Sequence, residues 1–314
     1  MPIIVLWGVF RDPSAMHPLG MEHAICVRGL TKRYGDVQAV AGLDLDVEHG
    51  EVFAVLGPNG AGKSTTVEIL EGYRRRDAGE VTVLGRDPAR PTREWRSRIG
   101  IVLQSSDDRA ELTVRETLRH FATYYANPRD PDELMEQVGL ADSAGKRIRQ
   151  LSGGQRRRVD VALGVIGRPE LLFLDEPTTG FDPEARRRFW ELIEGLAHDG
   201  TTIVLTTHYL EEAETLADRV AVVARGRVVA QGDPATLGGR ATARARVAWS
   251  DGEIETDTPT EVVLELSRRY DGEIPGLTVT RPTLEDVYLR LIEAEEPSAG
   301  SAPETPAEPV ESTP

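Results

Sequence analysis

An eight-residue loop constrains the fold of this chain more than any other feature: Gly57-Pro58-Asn59-Gly60-Ala61-Gly62-Lys63-Ser64 fits the pattern G-x-x-x-x-G-K-[ST]. It follows the apolar run Val52-Phe53-Ala54-Val55-Leu56, which has the length and β-branching of a buried strand. It also opens a helix, because Thr65 to Leu70 continues without Gly or Pro. A strand, a glycine loop and a helix N-terminus in that order aim backbone N–H groups and the positive end of a helix dipole at one point. Polyphosphate is the ligand that fits. Gly57, Gly60 and Gly62 permit backbone angles and a close approach that a Cβ would block. The ammonium of Lys63 can bridge β- and γ-phosphates, the Ser64 hydroxyl can ligate Mg²⁺, and Thr65 supplies a further phosphate contact. The expected fold class is α/β.

Two downstream stretches narrow the reading. Leu171-Leu172-Phe173-Leu174 ends in Asp175-Glu176 and reads as a central strand delivering two carboxylates at its C-terminal edge, where ligands sit in open α/β sheets. Between loop and acidic strand lies Leu151-Ser152-Gly153-Gly154-Gln155. Ser152 offers a hydroxyl donor, the two glycines let backbone N–H groups approach a phosphate, and a helix beginning near Gln155 offers a second positive dipole end. In this order the three motifs resemble the ATP-binding cassette (ABC) family, the motor subunits of ABC transporters.

The resemblance implies a P-loop NTPase core with an antiparallel β subdomain and a helical subdomain, and ATP and Mg²⁺ as ligands. By its pattern, Asp175 holds Mg²⁺ through water and Glu176 orients and deprotonates the attacking water. Ser152, Gly153, Gly154 and Gln155 press on the γ-phosphate of ATP held by another copy of the chain, so ATP joins a homodimer. Four smaller features fall where the family places them. Tyr34 matches the aromatic that stacks on adenine, although taken alone it reads better as a core or turn tyrosine. Gln104 matches the glutamine that touches Mg²⁺ or water, and His208 the switch histidine that bonds the γ-phosphate. Asp182 matches the loop that crosses the dimer interface. Phe181 stands where the family usually carries leucine, which predicts repacking at that interface.

Bulk properties exclude several classes. Formal charge is −15, and −10 without the five Glu of the tail from Glu295 onward, which disfavours direct nucleic-acid binding. The arginine triplets at Arg74 to Arg76, Arg156 to Arg158 and Arg186 to Arg188 then read as solvated helix faces. Cys26 is the single cysteine, so no intrachain disulfide forms and the chain suits a reducing cytoplasm. No stretch reaches the roughly 20 apolar residues that cross a bilayer, so any pore it serves is another polypeptide. The resemblance accordingly places the protein at the cytoplasmic face of the cell membrane, peripheral through a separate multi-span permease.

Along the chain, residues 1–20 read as a leader or an extension ahead of a start at Met21. Residues 21–232 form the expected ATPase domain, with Ala24 to Leu56 as a small antiparallel sheet. About 107–150 forms the helical subdomain, with Val114, Leu118 and Phe121 on one face and Leu134 and Val138 on another. Residues 233–293 read as a small α+β appendix: strands over 240–249 and 274–280, a helix over 261–270, and a capped helix after Thr283. Residues 294–314 are Pro-, Ala- and Glu-rich and expected to be disordered. The phrases Leu284-Glu285-Asp286-Val287-Tyr288-Leu289 and His208-Tyr209-Leu210-Glu211-Glu212-Ala213-Glu214 are similar to the drug-exporter, daunorubicin-resistance-like branch. The expected function is the ATPase subunit of an exporter of a small molecule such as an antibiotic. The alternatives are a soluble non-transport ABC ATPase, an importer subunit and a non-hydrolysing regulatory cassette.

Overall fold

The structure, a computed structural model, describes residues 23–102 and 111–295. Two long strands come first, β1 (His23–Tyr34) and β2 (Val37–Glu48), then β3 (Val52–Leu56), α1 (Lys63–Leu70), β4 (Ala78–Val83), α2 (Arg93–Ser97) and β5 (Ile99–Val102). A helical stretch carries α3 (Val114–Ala122), α4 (Pro131–Gln137) and α5 (Gly153–Val165). There follow β6 (Leu171–Asp175), α6 (Pro183–His198), β7 (Thr202–Thr206), α7 (Leu210–Leu216), β8 (Arg219–Ala224) and β9 (Arg227–Gly232). The described part ends with β10 (Ala245–Trp249), β11 (Gly252–Thr256), α8 (Pro259–Arg269), β12 (Thr278–Thr280) and α9 (Leu284–Glu295).

Six strands form the central sheet in the order β5-β6-β7-β3-β8-β9, parallel except for the antiparallel pair β8 and β9. All five residues of β3 are buried, as a parallel strand covered on both faces requires. The pleat divides its side chains between two cores. Val52, Ala54 and Leu56 join Leu172, Leu174, Ile203 and Leu205 on the helical side. Phe53 and Val55 join Leu171, Phe173 and Val204 on the other side, together with Val67, Ile69 and Leu70 of α1 and the apolar face of a second sheet. That second sheet is antiparallel, in the order β2-β1-β4. Its third strand differs from the expectation over Ala24 to Leu56. β3 leaves for the central sheet, and β4, from beyond α1, pairs with the open edge of β1; an edge strand needs a partner wherever in the chain it comes from.

In the helical stretch, Thr113 and Glu116 close a capping box on α3, and Asp130 with Pro131 starts α4. Val114, Leu118, Leu134 and Val138 are buried as the pattern predicts. Phe121 is only half-buried and meets His120 and Tyr124 edge to face. In the C-terminal part the strand expected over 240–249 shortens to β10 and that over 274–280 to β12, while β11 was not expected and forms a hairpin with β10. These three strands and α8 enclose a small core of Val247, Leu266 and Ile274. Helix α9 starts on a Thr283–Asp286 box: Thr283 N–H donates to Asp286 (2.7 Å) and Asp286 N–H to the Thr283 hydroxyl (3.1 Å). Its Leu284 and Val287 are buried in the main helical core with Leu237, so the last helix returns to the ATPase body. It also takes in Ala294 and Glu295, the first residues of the expected tail. Residues 1–20, Gln104 and residues 296–314 lie outside the described residues. Among the described residues no helix is long and apolar enough to cross a membrane.

Candidate nucleotide site

The loop after β3 is shaped by space. A Cβ on Gly57 would lie 2.2 Å from the Val223 carbonyl oxygen, and one on Gly62, where φ is +101°, would lie 2.3 Å from that of Ala39. Only glycine fits at either position. Gly62 stands at the N-cap of α1 and no side chain caps that helix, so its first N–H groups remain for an anion. Pro58, Asn59 and Gly60 are exposed, Ala61 is buried, and the Ala61 N–H closes a turn on the Pro58 carbonyl at 3.2 Å. Lys63 is buried, and its ammonium donates to the carbonyls of Gly57 (2.7 Å) and Pro58 (3.1 Å). Burial pushes its pKa down, while the charges of Glu176 and Asp175 act to raise it. Ser64 is exposed and Thr65 half-buried at the start of α1.

Register brings the acidic edge to the loop. Asp175 pairs with Thr206, and Thr206 with Val55, so β6, β7 and β3 end at one level. The Thr206 hydroxyl donates to Oδ1 of Asp175. The Glu176 N–H reaches the Thr206 carbonyl at 3.0 Å and its hydroxyl at 3.2 Å. Glu176 has φ of +45°, a left-handed conformation that costs a non-glycine residue about 1–3 kcal/mol and persists where surroundings enforce it. Beyond that turn its Oε1 lies 3.4 Å from Nδ1 of His208. The Glu176 side chain is 19% exposed and that of His208 45%, so a carboxylate held under cover sits beside a ring that solvent reaches.

Arg157 and Glu71 are among the buried ionisable residues near this edge that were not anticipated. Arg157 is 7% exposed, contrary to the reading of its triplet as a solvated face. Its Nε donates to the Pro177 carbonyl at 3.2 Å and its Nη2 to the backbone oxygen of Asp175, tying α5 to the acidic strand. Its neighbour Arg158 donates to the Gly139 carbonyl at 2.9 Å, and the Arg186 guanidinium lies 5.0 Å from the centre of the Tyr209 ring. Glu71, at the C-cap of α1, is buried and its carboxyl is pushed up to about 8, chiefly by burial and then by the charges of Asp175 and Glu68. Helical phase carried the missing signal: Arg157 stands four residues before buried Val161, and Glu71 four after buried Val67.

The pentapeptide begins α5 earlier than expected. Ser152 is the N-cap, accepting from the Gln155 N–H at 3.2 Å, while Gln155 Oε1 accepts from the Ser152 N–H at 3.1 Å. This capping box turns Gln155 back onto the cap and toward the Ser143 hydroxyl at 3.2 Å. A capping hydroxyl accepts and keeps its proton to donate. Ser152, Gly153 and Gly154 line a cleft of about 560 Å³ with Glu176, Thr179 and Asp182, and none of residues 57–65 lines it. One chain therefore gathers the loop, Asp175, Glu176 and His208 at the sheet edge, while the pentapeptide lines a cleft that reaches Glu176 but none of the loop.

The remaining candidates divide. The Asp182 carboxylate caps α6 by accepting from the Ala185 N–H at 2.9 Å, and that bond, ahead of others, holds its pKa below the usual range. Phe181 is buried edge-on against Phe189 at 5.9 Å between ring centres, so its extra bulk is taken up inside the chain. Tyr34 is a surface ring, 39% exposed, with Lys32 and Arg74 at 5.5 and 5.4 Å from its centre; it is no core tyrosine.

Residues 40–179 match the family model described as ABC transporter. The chain is 41% identical over 304 residues to the daunorubicin resistance ATP-binding protein DrrA3 of Streptomyces coeruleorubidus, covering 86% of this chain and 96% of that relative. It is 38% identical over 294 residues to the Nod factor export ATP-binding protein I of Burkholderia orbicola (strain AU 1054), covering 84% and 95%. Among solved structures, the dimeric post-hydrolysis state of the ATP-binding cassette MJ0796 bound to ADP and Pi is similar with a TM-score of 0.61 at 24% identity, covering 67% of this chain and 98% of that one. The matched segment runs through the phosphate loop, the pentapeptide and the acidic strand, and the likeness to DrrA3 extends over most of both chains. The chain belongs to the ATP-binding cassette transporter family.

Proposed function

We propose that this ABC ATPase works as a symmetric pair that closes on two ATP molecules and drives efflux of a small molecule through a separate multi-span permease at the cytoplasmic face of the membrane. The names of the relatives, daunorubicin resistance and Nod factor export, support the direction of transport. The observation that carries the reading is the common level at which β3, β6 and β7 end, which sets Lys63, Asp175, Glu176 and His208 around one point.

In this reading the loop N–H groups, Lys63 and Thr65 hold the triphosphate, and Tyr34 takes the adenine. Ser64 and Asp175 are the residues that would hold Mg²⁺, with Gln104. They suit it: Ser64 presents an exposed hydroxyl, and among the described residues Asp175 accepts a side-chain hydrogen bond from Thr206 at Oδ1, leaving Oδ2 for a metal-bound water. The ion when bound supplies positive charge to the phosphate oxygens. Glu176 takes a proton from water as the water oxygen bonds to the γ-phosphorus, the bond to the β–γ bridging oxygen breaks, and ADP leaves. His208, 3.4 Å from Glu176, reaches the same phosphate. Ser152, Gly153 and Gly154 of one copy complete the pocket of the other, a reading supported by a cleft that holds none of their own chain's phosphate loop; Gln155 backs them through the cap, and the Asp182 loop lies at the seam. Residues 21–232 serve as the ATPase domain, with 107–150 as the part that meets the permease, and 233–293 as an accessory domain anchored by α9.

The test is association. Purified Glu176→Gln chain at saturating Mg·ATP should double its mass by light scattering and return to monomer when nucleotide is removed. A chain that stays monomeric there, and also beside a co-expressed permease, would overturn the reading. Loss of efflux in Lys63→Ala cells tests the transport half.

A further inference from the structure

We infer that Glu212 is a positioning residue for hydrolysis, its buried carboxyl holding the segment that carries Glu176 and the segment that carries His208 in one arrangement. The inference rests on the roles proposed above for those two residues. Glu212, on α7, is 0% exposed, and its neighbours Thr207 and Thr178 are 0% and 1% exposed. Thr178 lies two residues past Glu176, and Thr207 immediately precedes His208. The hydroxyls of both threonines and the indole N–H of Trp190 face the carboxyl, with the Arg186 guanidinium close by. Four chain segments therefore converge on one acid: the end of β6, the end of β7, α6 and α7.

The cluster is loosely closed. Neither oxygen of Glu212, nor the Thr178 hydroxyl, nor the Trp190 N–H completes a hydrogen bond of ordinary geometry. Buried polar groups in this condition cost free energy until their bonds shorten. Each donor is thus drawn toward the carboxyl, and two of them sit on the backbone beside the reacting groups. The Thr207 hydroxyl also accepts from the Tyr209 N–H at 3.0 Å, which pins the residue after His208. A second route runs through Arg186: its guanidinium covers the Tyr209 ring at 5.0 Å, and that ring lies 4.0 Å from the His208 ring. The 3.4 Å separation of Glu176 and His208 is set across this cluster.

Four variants test it: Glu212→Ala, Glu212→Gln, His208→Ala and the double Glu212→Ala/His208→Ala, each measured for ATP affinity and for single-turnover hydrolysis. Misplacing a reacting group by an ångström costs about 100-fold, so Glu212→Ala should lower the hydrolysis rate by about 10–100-fold while ATP affinity stays at the parent value. Glu212→Gln, which offers an oxygen to Trp190 and an N–H₂ to the threonine hydroxyls, should recover to within about tenfold of the parent. In the double variant the Glu212 loss should be smaller than in the single one, because the part that acts through His208 has nothing left to position. Parent-rate hydrolysis by Glu212→Ala, or losses that multiply in the double variant, would overturn the inference. If Glu212→Ala does not fold, Thr178→Val and Thr207→Val each remove one donor and should each slow hydrolysis about fivefold; parent rates in both would overturn it equally. His208→Ala hydrolysing at the parent rate would instead undercut the site itself.

Discussion

Replacing Glu176 by Gln isolates its proposed role as base, because so little else changes. The N–H of residue 176 keeps its bonds to Thr206 at 3.0 and 3.2 Å, and the left-handed turn at +45° is untouched. The side chain keeps an oxygen within reach of His208, 3.4 Å away in the parent, so thermal stability should stay within about 0.5 kcal/mol. What disappears is the proton acceptor. A positioned general base contributes about 10²–10⁴ in rate, which at 1.36 kcal/mol per decade is about 3–5 kcal/mol of barrier. Nucleotide binding should move the other way, since a negative charge beside Lys63 and the triphosphate is gone. Phosphate release at saturating Mg·ATP reads the first effect, and equilibrium titration with a fluorescent ATP analogue reads the second. Turnover at the parent rate would place the base elsewhere. A loss of affinity equal to the loss of rate would make Glu176 a binding group and refute the reasoning as well.

Three further outcomes follow from buried side chains and backbone space. The Glu71 carboxyl, pushed up from 4.5 to about 8 by burial, keeps a proton that the unfolded chain releases; its contribution to stability is complete below pH 4.5 and is lost as pH rises to about 8, roughly 3–5 kcal/mol across the interval. Urea unfolding from pH 5.5 to 8 should therefore show a falling slope in the parent that Glu71→Gln flattens; equal slopes would refute the assignment. Gly62→Ala places a Cβ 2.3 Å from the Ala39 carbonyl oxygen at a φ of +101°, so the loop must move and ATP affinity should fall at least about tenfold, as a strain of about 1–3 kcal/mol implies; parent affinity with native circular dichroism would contradict the steric account. Phe181→Ala removes a ring that is 7% exposed and packed on Phe189 and should cost about 3–4 kcal/mol in urea unfolding, whereas Phe181→Leu, the residue usual in the family, should cost about 1 kcal/mol; equal costs would mean that the ring is not packed as described.

The central sheet was legible wherever an apolar run ended in a chemically distinctive residue. Val52–Leu56 and Leu171–Asp175 are short, wholly apolar until their ends, and buried on both faces, so length and composition sufficed to mark them. Pairing was less legible. β4 pairs with β1 across about 50 residues of intervening chain, and nothing in the local pattern of Ala78–Val83 says which open edge it joins. The hairpin of β10 and β11 was missed for a different reason: β11 is exposed along most of its length and reads Gly-Glu-Ile-Glu-Thr, too polar to declare a strand by burial, and it is held by register with β10. The cap at Thr283 was visible because such a motif is local. Thr113 with Glu116 and Thr283 with Asp286 satisfy one another within three residues, and the chemistry is complete before any tertiary contact forms.

The same distinction separates the site residues that announce themselves from those that do not. A phosphate loop is contiguous because one ligand group must meet several consecutive backbone N–H groups, so its spacing survives in the sequence. Arg157, Glu71 and Glu212 are ionisable and buried, and burial belongs to the packed structure and not to any short window. Sequence composition pulls the wrong way for Arg157: within Arg-Arg-Arg each residue is read as solvated. Yet all three stand around the carboxylate edge, Arg157 on the backbone of Asp175, Glu71 within the field of Asp175, and Glu212 between the ends of β6 and β7. A cation and two acids excluded from water at one edge cannot be indifferent to a change of charge there, because low dielectric strengthens every interaction among them. In the proposed site, ATP would bring several negative charges to that edge and hydrolysis would redistribute them. In that site the buried set is placed to feel the state of the nucleotide and pass it to α1, α5 and α7, the helices that carry these residues or end on them.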